Sequence, residues 1–248
     1  MRITNRLAMV IAGLSVLLSA TQTHAEKFEC LVQPYLQVKL SSGVPGILGE
    51  VLVDRGDFVK KGQLLARLVS DAQEAGYELA RARAEFAERR VERNQELYRK
   101  QMISIHEKDE METEAHLLKL EVREVEEQLK MRSIRSPLDG VVVKRHLSVG
   151  EYVQQEAMLE LAQIDPLRVE VVIPMRLYGK IKIGMSAQVE WEAPLGGVHR
   201  ATVTVVDPVV DAASGTIGVR LELPNPRYQL PAGTQCTVSF PISSGTGD

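Results

Sequence analysis

The sequence predicts an elongated α+β chain in which a split β-sandwich carries an inserted helical hairpin and precedes a small antiparallel β-barrel. Three observations predict this fold class. Residues 46–65 and 140–159 are two copies of one segment, displaced by 94 positions. The stretch between the copies is strongly helical, and residues 165–243 alternate like short strands separated by turns.

The chain starts with a stretch typical of an export signal. Arg2 and Arg6 flank the apolar residues 7–18, and a short polar stretch ending in alanine precedes Glu26. We therefore expect residues 1–25 to be a signal peptide that is cleaved on export. An uncleaved anchor is the alternative, although the apolar run is short for a permanent spanning helix.

Loss of this signal makes the chain more acidic. It removes two of the 30 basic residues, which leaves 28 against 33 acidic residues and a formal net charge of −5. An acidic balance argues against nucleic acid as a partner.

Export also places the two cysteines in a compartment that permits disulfides. Cys30 lies in a predicted N-terminal strand over residues 26–40, and Cys236 lies near the end of the chain. One bridge between them would tie the terminal strands together. Two free thiols are also compatible with the sequence.

The repeated segment predicts the sandwich. Each copy has a short β-rich run, a Gly followed by an acid, and a second apolar run. Neither copy can bury both of its faces alone, so residues 41–70 and 135–164 are predicted to close into one sandwich with pseudo-two-fold symmetry. Four glycines hold equivalent places and are predicted to lie at its turns: Gly46, Gly56, Gly140 and Gly150.

Residues 71–134 are predicted to form two antiparallel helices that meet in a coiled-coil seam. In the first helix the seam is predicted on a stripe with 4-3-4 spacing that continues through Arg89 to Arg93: Ala75, Leu79, Ala82 and Phe86. In the second helix it is predicted at Met111, Ala115, Leu118, Val122, Val125 and Leu129. The second helix should begin after Ser104, because Ser104 and Glu107 have the spacing of a capping box.

The turn of this hairpin carries the most specific pattern. Arg93 and Leu97 are four residues apart and lie on one helical face, and Ser104 follows seven residues later. The structural alternative is a helix cap at Ser104 beside an ordinary surface arginine.

After the hairpin, the barrel is predicted from five alternating runs at residues 167–173, 186–191, 201–206, 218–223 and 234–240.

The half-motifs, the inserted hairpin and the Arg93-Leu97-Ser104 spacing together resemble the periplasmic adaptor proteins of Gram-negative tripartite efflux pumps. These are also called membrane fusion proteins and include HlyD-like adaptors and those of resistance-nodulation-division pumps. In that family the sandwich is a lipoyl-like, or biotinyl-lipoyl, domain. The barrel of that family contains sequence segments similar to residues 207–216 and 223–233. The resemblance implies that the N-terminal strand joins this barrel, which would place Cys30 near Cys236.

The resemblance implies a periplasmic, non-enzymatic adaptor that is held at the inner membrane by an efflux transporter. Its hairpin tip would dock on a TolC-type outer-membrane channel. Arg93 would bond polar groups of the channel, Leu97 would pack between the channel's helices, and Ser104 would add a hydrogen bond. Several copies are expected to form a ring.

The end of the chain departs from the pattern of resistance-nodulation-division adaptors, which usually continue into a membrane-proximal domain. Here the barrel is followed by residues 244–248, a predicted flexible tail. The resemblance is therefore to a short form without that domain.

No catalytic, cofactor-binding or metal-binding residues are predicted. Lipoyl and biotinyl carrier domains present a modified lysine between their halves, whereas the corresponding residues 69–74 contain none. The alternatives to the adaptor are a periplasmic module on the same scaffold that binds a small molecule or a metal, and an adaptor of an ABC-type exporter or type I secretion system.

Overall fold

The computed structural model describes residues 26–242, so the predicted signal peptide and flexible tail lie outside the described residues. In chain order the elements are β1 (Lys27–Leu40), β2 (Gly46–Val51), β3 (Phe58–Val59), β4 (Leu64–Leu68), α1 (Asp71–Arg99), α2 (Ile105–Lys130), β5 (Ser133–Arg135), β6 (Gly140–Arg145), β7 (Tyr152–Val153), β8 (Leu159–Pro174), a 3-10 turn (Met175–Leu177), β9 (Ser186–Glu190), β10 (Val198–Val206), β11 (Thr216–Leu223) and β12 (Gln235–Ser239).

Six strands close into a barrel. Their order is β1-β12-β9-β10-β11-β8, and a further ladder between β1 and β8 closes the ring. Buried and less buried residues alternate along β11, because successive side chains of a strand point to opposite faces. The apolar interior includes Val32, Val169, Val189, Leu221 and Phe240. The five runs predicted as barrel strands all form strands, and the N-terminal strand joins them.

Cys30 and Cys236 form a disulfide inside this barrel. The two residues face each other in the β1–β12 ladder, with their Cα atoms 4.9 Å apart. Both side chains are buried among the apolar residues of the barrel interior. The bond joins positions 206 residues apart and holds the first described strand to the last one.

The sandwich is built from two halves that exchange strands. β2 of the first half pairs with β7 of the second, and β6 of the second pairs with β3 of the first. The Gly56 N–H donates to the Val142 carbonyl at 2.8 Å, and the Gly150 N–H donates to the Leu48 carbonyl at 2.8 Å. These contacts are reciprocal, because Leu48 and Val142 hold the same place in the two copies. The predicted pseudo-two-fold relation is therefore present.

Only two of the four glycines at equivalent places in the repeat lie at turns. Gly56 and Gly150 have φ angles of +95° and +92°, a left-handed backbone that L-residues other than glycine rarely adopt. The prediction of a turn is wrong for Gly46 and Gly140, which begin β2 and β6. A Cβ at Gly140 would stand 2.2 Å from the Ala162 carbonyl oxygen, so this position needs glycine because two backbones approach closely.

The helices leave and rejoin the sandwich at neighbouring points. β4 pairs with β5 across the insertion, with Arg67 opposite Ser133. The Leu68 N–H donates to the Arg132 carbonyl at 2.9 Å, and the Arg132 guanidinium donates to the Val69 carbonyl at 2.8 Å. This short junction lets the helices be inserted without opening the sandwich.

The helices α1 and α2 lie antiparallel along each other. Residue numbers rise along α1 as they fall along α2 in three cross-helix ion pairs: Arg83–Glu121 at 3.6 Å, Glu88–Lys119 at 2.6 Å and Arg90–Glu114 at 2.9 Å. The α2 stripe predicted from Met111 to Leu129 coincides with partly or fully buried positions, of which Ala115 is the most buried.

The face of α1 that contacts α2 is not the predicted one. Leu79 and Phe86 are 54 % and 57 % exposed, whereas the buried residues of α1 are Ala80, Ala84 and Ala87. The two stripes run beside each other on α1 with the same 4-3 spacing. The alanine stripe takes the contact because its small side chains let the two helices approach closely.

Two continuous strands join the sandwich to the barrel. β1 and β8 pair along both modules, from Cys30 opposite Val171 to Leu40 opposite Leu159. The register shifts once, at Tyr35, where one residue on β1 stands opposite three on β8. The boundary between the modules therefore coincides with the irregular part of an otherwise regular ladder.

Asn225 forms hydrogen bonds that stabilise this boundary on the barrel side. It is 3 % exposed, and its amide nitrogen donates to the Ile164 and Leu230 carbonyls, both at 2.9 Å. Its backbone N–H donates to Asp165 Oδ1 at 2.8 Å. The loop that Asn225 begins also carries Tyr228, whose ring centroid lies 4.8 Å from that of Phe58 in the sandwich.

Candidate functional site

The far end of the helical pair is a short turn between α1 and α2. α1 ends at Arg99, and the Lys100 and Gln101 N–H groups donate to the Glu96 and Tyr98 carbonyls. Gln101 has a φ of +58°, which reverses the chain direction. The Met102 N–H then donates back to the Leu97 carbonyl at 2.9 Å. These bonds satisfy carbonyls at the end of α1 and fix the turn.

Ser104 caps α2 through the predicted capping box. Its hydroxyl accepts from the Glu107 N–H at 3.2 Å, and its own N–H donates to Glu107 Oε2 at 2.8 Å. The hydroxyl also donates to the same carboxylate oxygen at 2.9 Å. These bonds lower the pKa of Glu107, with the bond from the Ser104 backbone as the larger cause. Because the hydroxyl proton is donated to Glu107, the Ser104 hydroxyl can act toward a further partner only as a hydrogen-bond acceptor.

Arg93 and Leu97 lie on the last turns of α1. They are one helical turn apart, with Arg93 exposed and Leu97 partly buried. No carboxylate of residues 26–242 forms an ion pair with Arg93. The structure therefore presents the cation of this pair to solvent, and Ser104 stands across the turn from it.

Two apolar residues at the turn belong to the same surface and were not predicted as part of the site. Met102 and Ile105 flank Ser104 and are 69 % and 55 % exposed. The signal for them in the sequence is the presence of large apolar side chains at a predicted turn between two helices. Together with Leu97 they give the tip an apolar area beside the Arg93 cation.

Charge on α2 stabilises the first turns next to the tip. The Lys108 ammonium lies 3.2 Å from Glu112 and 5.2 Å from the centre of the Tyr98 ring. The bond to Glu112 raises the pKa of Lys108. Lys108 therefore joins α1 and α2 by a cation–π contact just below the turn.

Residues 26–242 show neither a metal-ligand cluster nor a helix that could span a membrane. No three His, Cys, Asp or Glu side chains of this part of the chain are grouped as metal ligands. None of its helices combines the length and apolar character that a membrane span requires.

Two protein-family models match the chain. The "CzcB-like, barrel-sandwich hybrid domain" matches residues 37–162, and the "CusB-like, beta-barrel domain" matches residues 167–244. The first match covers the sandwich with its inserted helices, and the second covers the barrel.

Curated relatives are about one quarter identical to the chain over the aligned residues. The cobalt-zinc-cadmium resistance protein CzcB of Cupriavidus metallidurans is 26 % identical over 78 % of this chain and 40 % of its own length. The multidrug resistance protein MdtE of Escherichia coli K12 is 25 % identical over 82 % of this chain and 60 % of its own length. The chain thus spans between 40 % and 60 % of these two relatives.

Solved structures share the fold. A MacA-MexA chimera with the Pseudomonas aeruginosa MexA α-hairpin domain superposes with a TM-score of 0.74, at 22 % identity, over 87 % of this chain and 80 % of the chimera. MacA from Actinobacillus actinomycetemcomitans superposes with a TM-score of 0.64, at 19 % identity, over 87 % of this chain and 78 % of MacA. With both domains matched in order along the sequence, the chain belongs to the membrane fusion, or periplasmic adaptor, proteins of efflux systems.

Proposed function

We propose that this chain links an inner-membrane efflux transporter to a TolC-type outer-membrane channel, which it contacts through the tip formed by Arg93, Leu97 and Ser104. The observation that carries the proposal is the tip itself. It lies at the end of two helices of 29 and 26 residues, so it stands about 40 Å from the sandwich. A cation that forms no ion pair within residues 26–242, beside an apolar area at the end of such an arm, suits docking better than packing within the chain.

Each tip residue has a distinct part in this contact. The Arg93 guanidinium donates hydrogen bonds to carboxylates or carbonyls of the channel, for which its planar fork is suited. Leu97, with Met102 and Ile105, packs into an apolar groove between the channel's helices. Ser104 accepts one hydrogen bond from the channel, because its proton is held by Glu107.

The remaining modules hold the arm in place. In this proposal the exported chain lies in the periplasm, α1 and α2 act as a coiled-coil hairpin, and the lipoyl-like sandwiches of several copies form a ring. The barrel faces the transporter at the inner membrane. The role of the chain is mechanical rather than enzymatic. The relatives' names point to metal ions in one case and to drugs in another, so the proposal concerns the connection and not the cargo.

Site-specific cross-linking in cells tests the contact. A cysteine at Gln101 should form an adduct with the outer-membrane channel, and the adduct should disappear when Arg93→Asp is added. The matched control is a cysteine at Gln128, an exposed residue near the sandwich end of α2, which should give no adduct. Both natural cysteines are bonded to each other and can remain. A folded, exported Gln101→Cys chain that gives no adduct would contradict the proposal.

A further inference from the structure

The connection between β8 and β9 crosses one end of the barrel. In the ring β1-β12-β9-β10-β11-β8 these two strands stand three places apart, so residues 175–185, which join them, have to pass over the barrel end. On one side the Met175 N–H donates to the Gly215 carbonyl at 3.0 Å. On the other side the Gly184 N–H donates to the Val203 carbonyl at 2.8 Å. We name residues 175–185 the end segment.

The end segment has a buried side and an exposed side. Leu177 and Ile181 are each 3 % exposed and belong to the apolar interior of the barrel. Met175, Tyr178 and Ile183 are 47 %, 53 % and 71 % exposed. Two apolar residues therefore close the barrel, and three larger or equally large ones remain in contact with solvent.

This end of the barrel is the one farther from the sandwich. β8 leaves the sandwich and reaches the end segment after Pro174. The loop of residues 207–215 joins β10 to β11 at the same end, and its Val209 is 77 % exposed. Glu26, the first described residue, also lies there, because its carboxylate pairs with the Arg176 guanidinium. We name the exposed side of the end segment, together with this loop, the end face.

The end segment is basic. It contains Arg176, Lys180 and Lys182 and no acidic residue. Arg176 is paired with Glu26. Lys180 and Lys182 are exposed, and within residues 26–242 they form no ion pair. Two cations are therefore presented to solvent among the exposed apolar side chains.

The aspartates of the neighbouring loop have local contacts. The Asp207 carboxylate lies against Gly218 of β11, where a Cβ would stand 2.2 Å from Asp207 Oδ2, so this group is directed along the barrel wall. Asp211 accepts hydrogen bonds from the Ala213 N–H at 2.9 Å and from the Ser214 hydroxyl at 2.8 Å. Neither aspartate forms an ion pair with the two lysines of the end segment.

We infer that the end face binds the surface of an anionic phospholipid bilayer. Met175, Tyr178 and Ile183 enter the region between headgroups and acyl chains, where a tyrosine ring is favoured because it has an apolar body and a polar tip. Lys180 and Lys182 reach the phosphates while their aliphatic stems lie along the apolar side chains. A fluid headgroup layer adapts to apolar side chains that alternate with lysines, and its negative charge is complementary to theirs.

The start of the chain agrees with this occupant. The apolar residues 7–18 precede Glu26, and either an export signal or an uncleaved anchor at this place would bring Glu26 to a membrane. Because Glu26 pairs with Arg176, the end face would arrive at the membrane with it. The inference goes beyond the proposed contact with the channel and does not depend on it.

Co-sedimentation with vesicles tests the end face. Residues 26–248 are used, since they contain every described element and lack the apolar run of residues 7–18. The chain should bind vesicles of phosphatidylethanolamine and phosphatidylglycerol, and Ile183→Glu should weaken binding about tenfold or more, because the new charge has to stay hydrated. The matched control is Val149→Glu, at a sandwich residue that is 60 % exposed, and it should leave binding unchanged. Equal weakening by both variants overturns the inference. A natural chain that does not bind also overturns it and leaves a protein as the occupant.

The two lysines test the charge complementarity. Lys180→Gln combined with Lys182→Gln should weaken binding to the anionic vesicles about twentyfold and should change binding to phosphatidylcholine vesicles little. The matched control is Lys60→Gln combined with Lys61→Gln, which removes two exposed lysines from the sandwich and should have no effect. Equal weakening by the two pairs would show an effect of net charge alone and overturns the assignment to the end face.

A polarity-sensitive fluorophore identifies the part of the chain that enters the bilayer. On Ile183→Cys its emission should shift to the blue and be shielded from an aqueous quencher when anionic vesicles are added, and on Val149→Cys it should do neither. The natural cysteines are bonded to each other and do not take the label. Equal responses at the two positions overturn the proposed orientation. No channel is present in these measurements, so their failure is distinct from failure of the cross-link to the channel.

Discussion

Ser104 has one observed role, as the cap of α2, and one proposed role, as a docking residue, and both involve the same hydroxyl group. As the cap of α2 it binds both the N–H and the carboxylate of Glu107. As a docking residue it has an acceptor position left and no free proton. In the contact that we propose, the channel group that meets Ser104 must therefore be a donor, such as an amide or a hydroxyl, and the capped turn presents the acceptor in a fixed direction.

The capping box predicts how acid affects the tip. The pKa of Glu107 is lowered by the Ser104 backbone and then by its hydroxyl, so the stabilisation is present above the unfolded pKa of the carboxyl and is lost as pH falls through the lowered folded value. In Ser104→Ala the titration midpoint of Glu107 should rise only part of the way, because the backbone donor remains. Carboxyl-carbon NMR measures both midpoints, and identical values would show that the hydroxyl does not contribute.

Two equivalent glycines should respond differently to the same substitution. Gly140→Ala places a Cβ 2.2 Å from a backbone oxygen and should destabilise the sandwich by about 1–3 kcal/mol through overpacking. The Cβ of Gly46→Ala meets side-chain atoms and no backbone atom among its nearest neighbours, with the ends of Leu68 and Arg132 at 3.1 Å and 3.2 Å, so this substitution should destabilise the sandwich less. Urea unfolding of the two variants provides the comparison. Equal losses would show that the halves are packed more symmetrically than the contacts indicate.

At the scale of elements, α1 shows why a helical seam is hard to assign from one helix alone. Its alanine stripe and its Leu79–Phe86 stripe share the same spacing. Larger side chains suggest the buried face when only the sequence is considered, yet close packing of two helices favours small ones. α2 offers no such choice, since its apolar residues with 4-3 spacing form one continuous stripe.

Alanines two residues apart test this assignment. Ala84→Glu puts a charge at a position that is 6 % exposed and should destabilise the arm by about 2 kcal/mol. Ala82→Glu makes the same change at an exposed position of the same helix and should change the stability of the arm little. Hydrogen exchange of amides in α1 and α2 reports the arm separately from the sandwich. The reverse order of effects would restore the stripe of Leu79 and Phe86 as the seam.

At the scale of the whole molecule, the sequence predicts modules better than their connection. The repeat identifies the sandwich because a second copy with the same Gly-acid turn is improbable by chance, and the barrel follows from short alternating runs. The exchange of strands between halves is not visible, since strand partners distant in sequence leave no local signal. The same holds for Asn225, whose role depends on carbonyls of Ile164 and Leu230 that only the fold brings together.

Asn225 should matter more than an exposed loop residue. Asn225→Ala leaves buried polar groups of Ile164 and Leu230 without partners and should destabilise the barrel by about 1–3 kcal/mol. Asn225→Asp keeps the acceptor for the Leu230 N–H but loses both donated bonds, so it should also destabilise. Thermal unfolding measures the loss, and solution scattering measures any change in the angle between the modules. An unaltered melting temperature in both variants would contradict this role.

The paired strands β1 and β8 determine how the two modules can move relative to each other when a force acts on the molecule. Both backbones cross the boundary between sandwich and barrel, so a pull along the long axis is borne by two covalent chains, and no hydrogen bond has to break. A ribbon of two strands resists bending within its own plane and bends easily across it. The modules can therefore rock about one axis, at the bulge beside Tyr35, while their separation stays constant. The two modules would in this way tolerate changes in the angle between them without a change in the length of the ribbon that joins them.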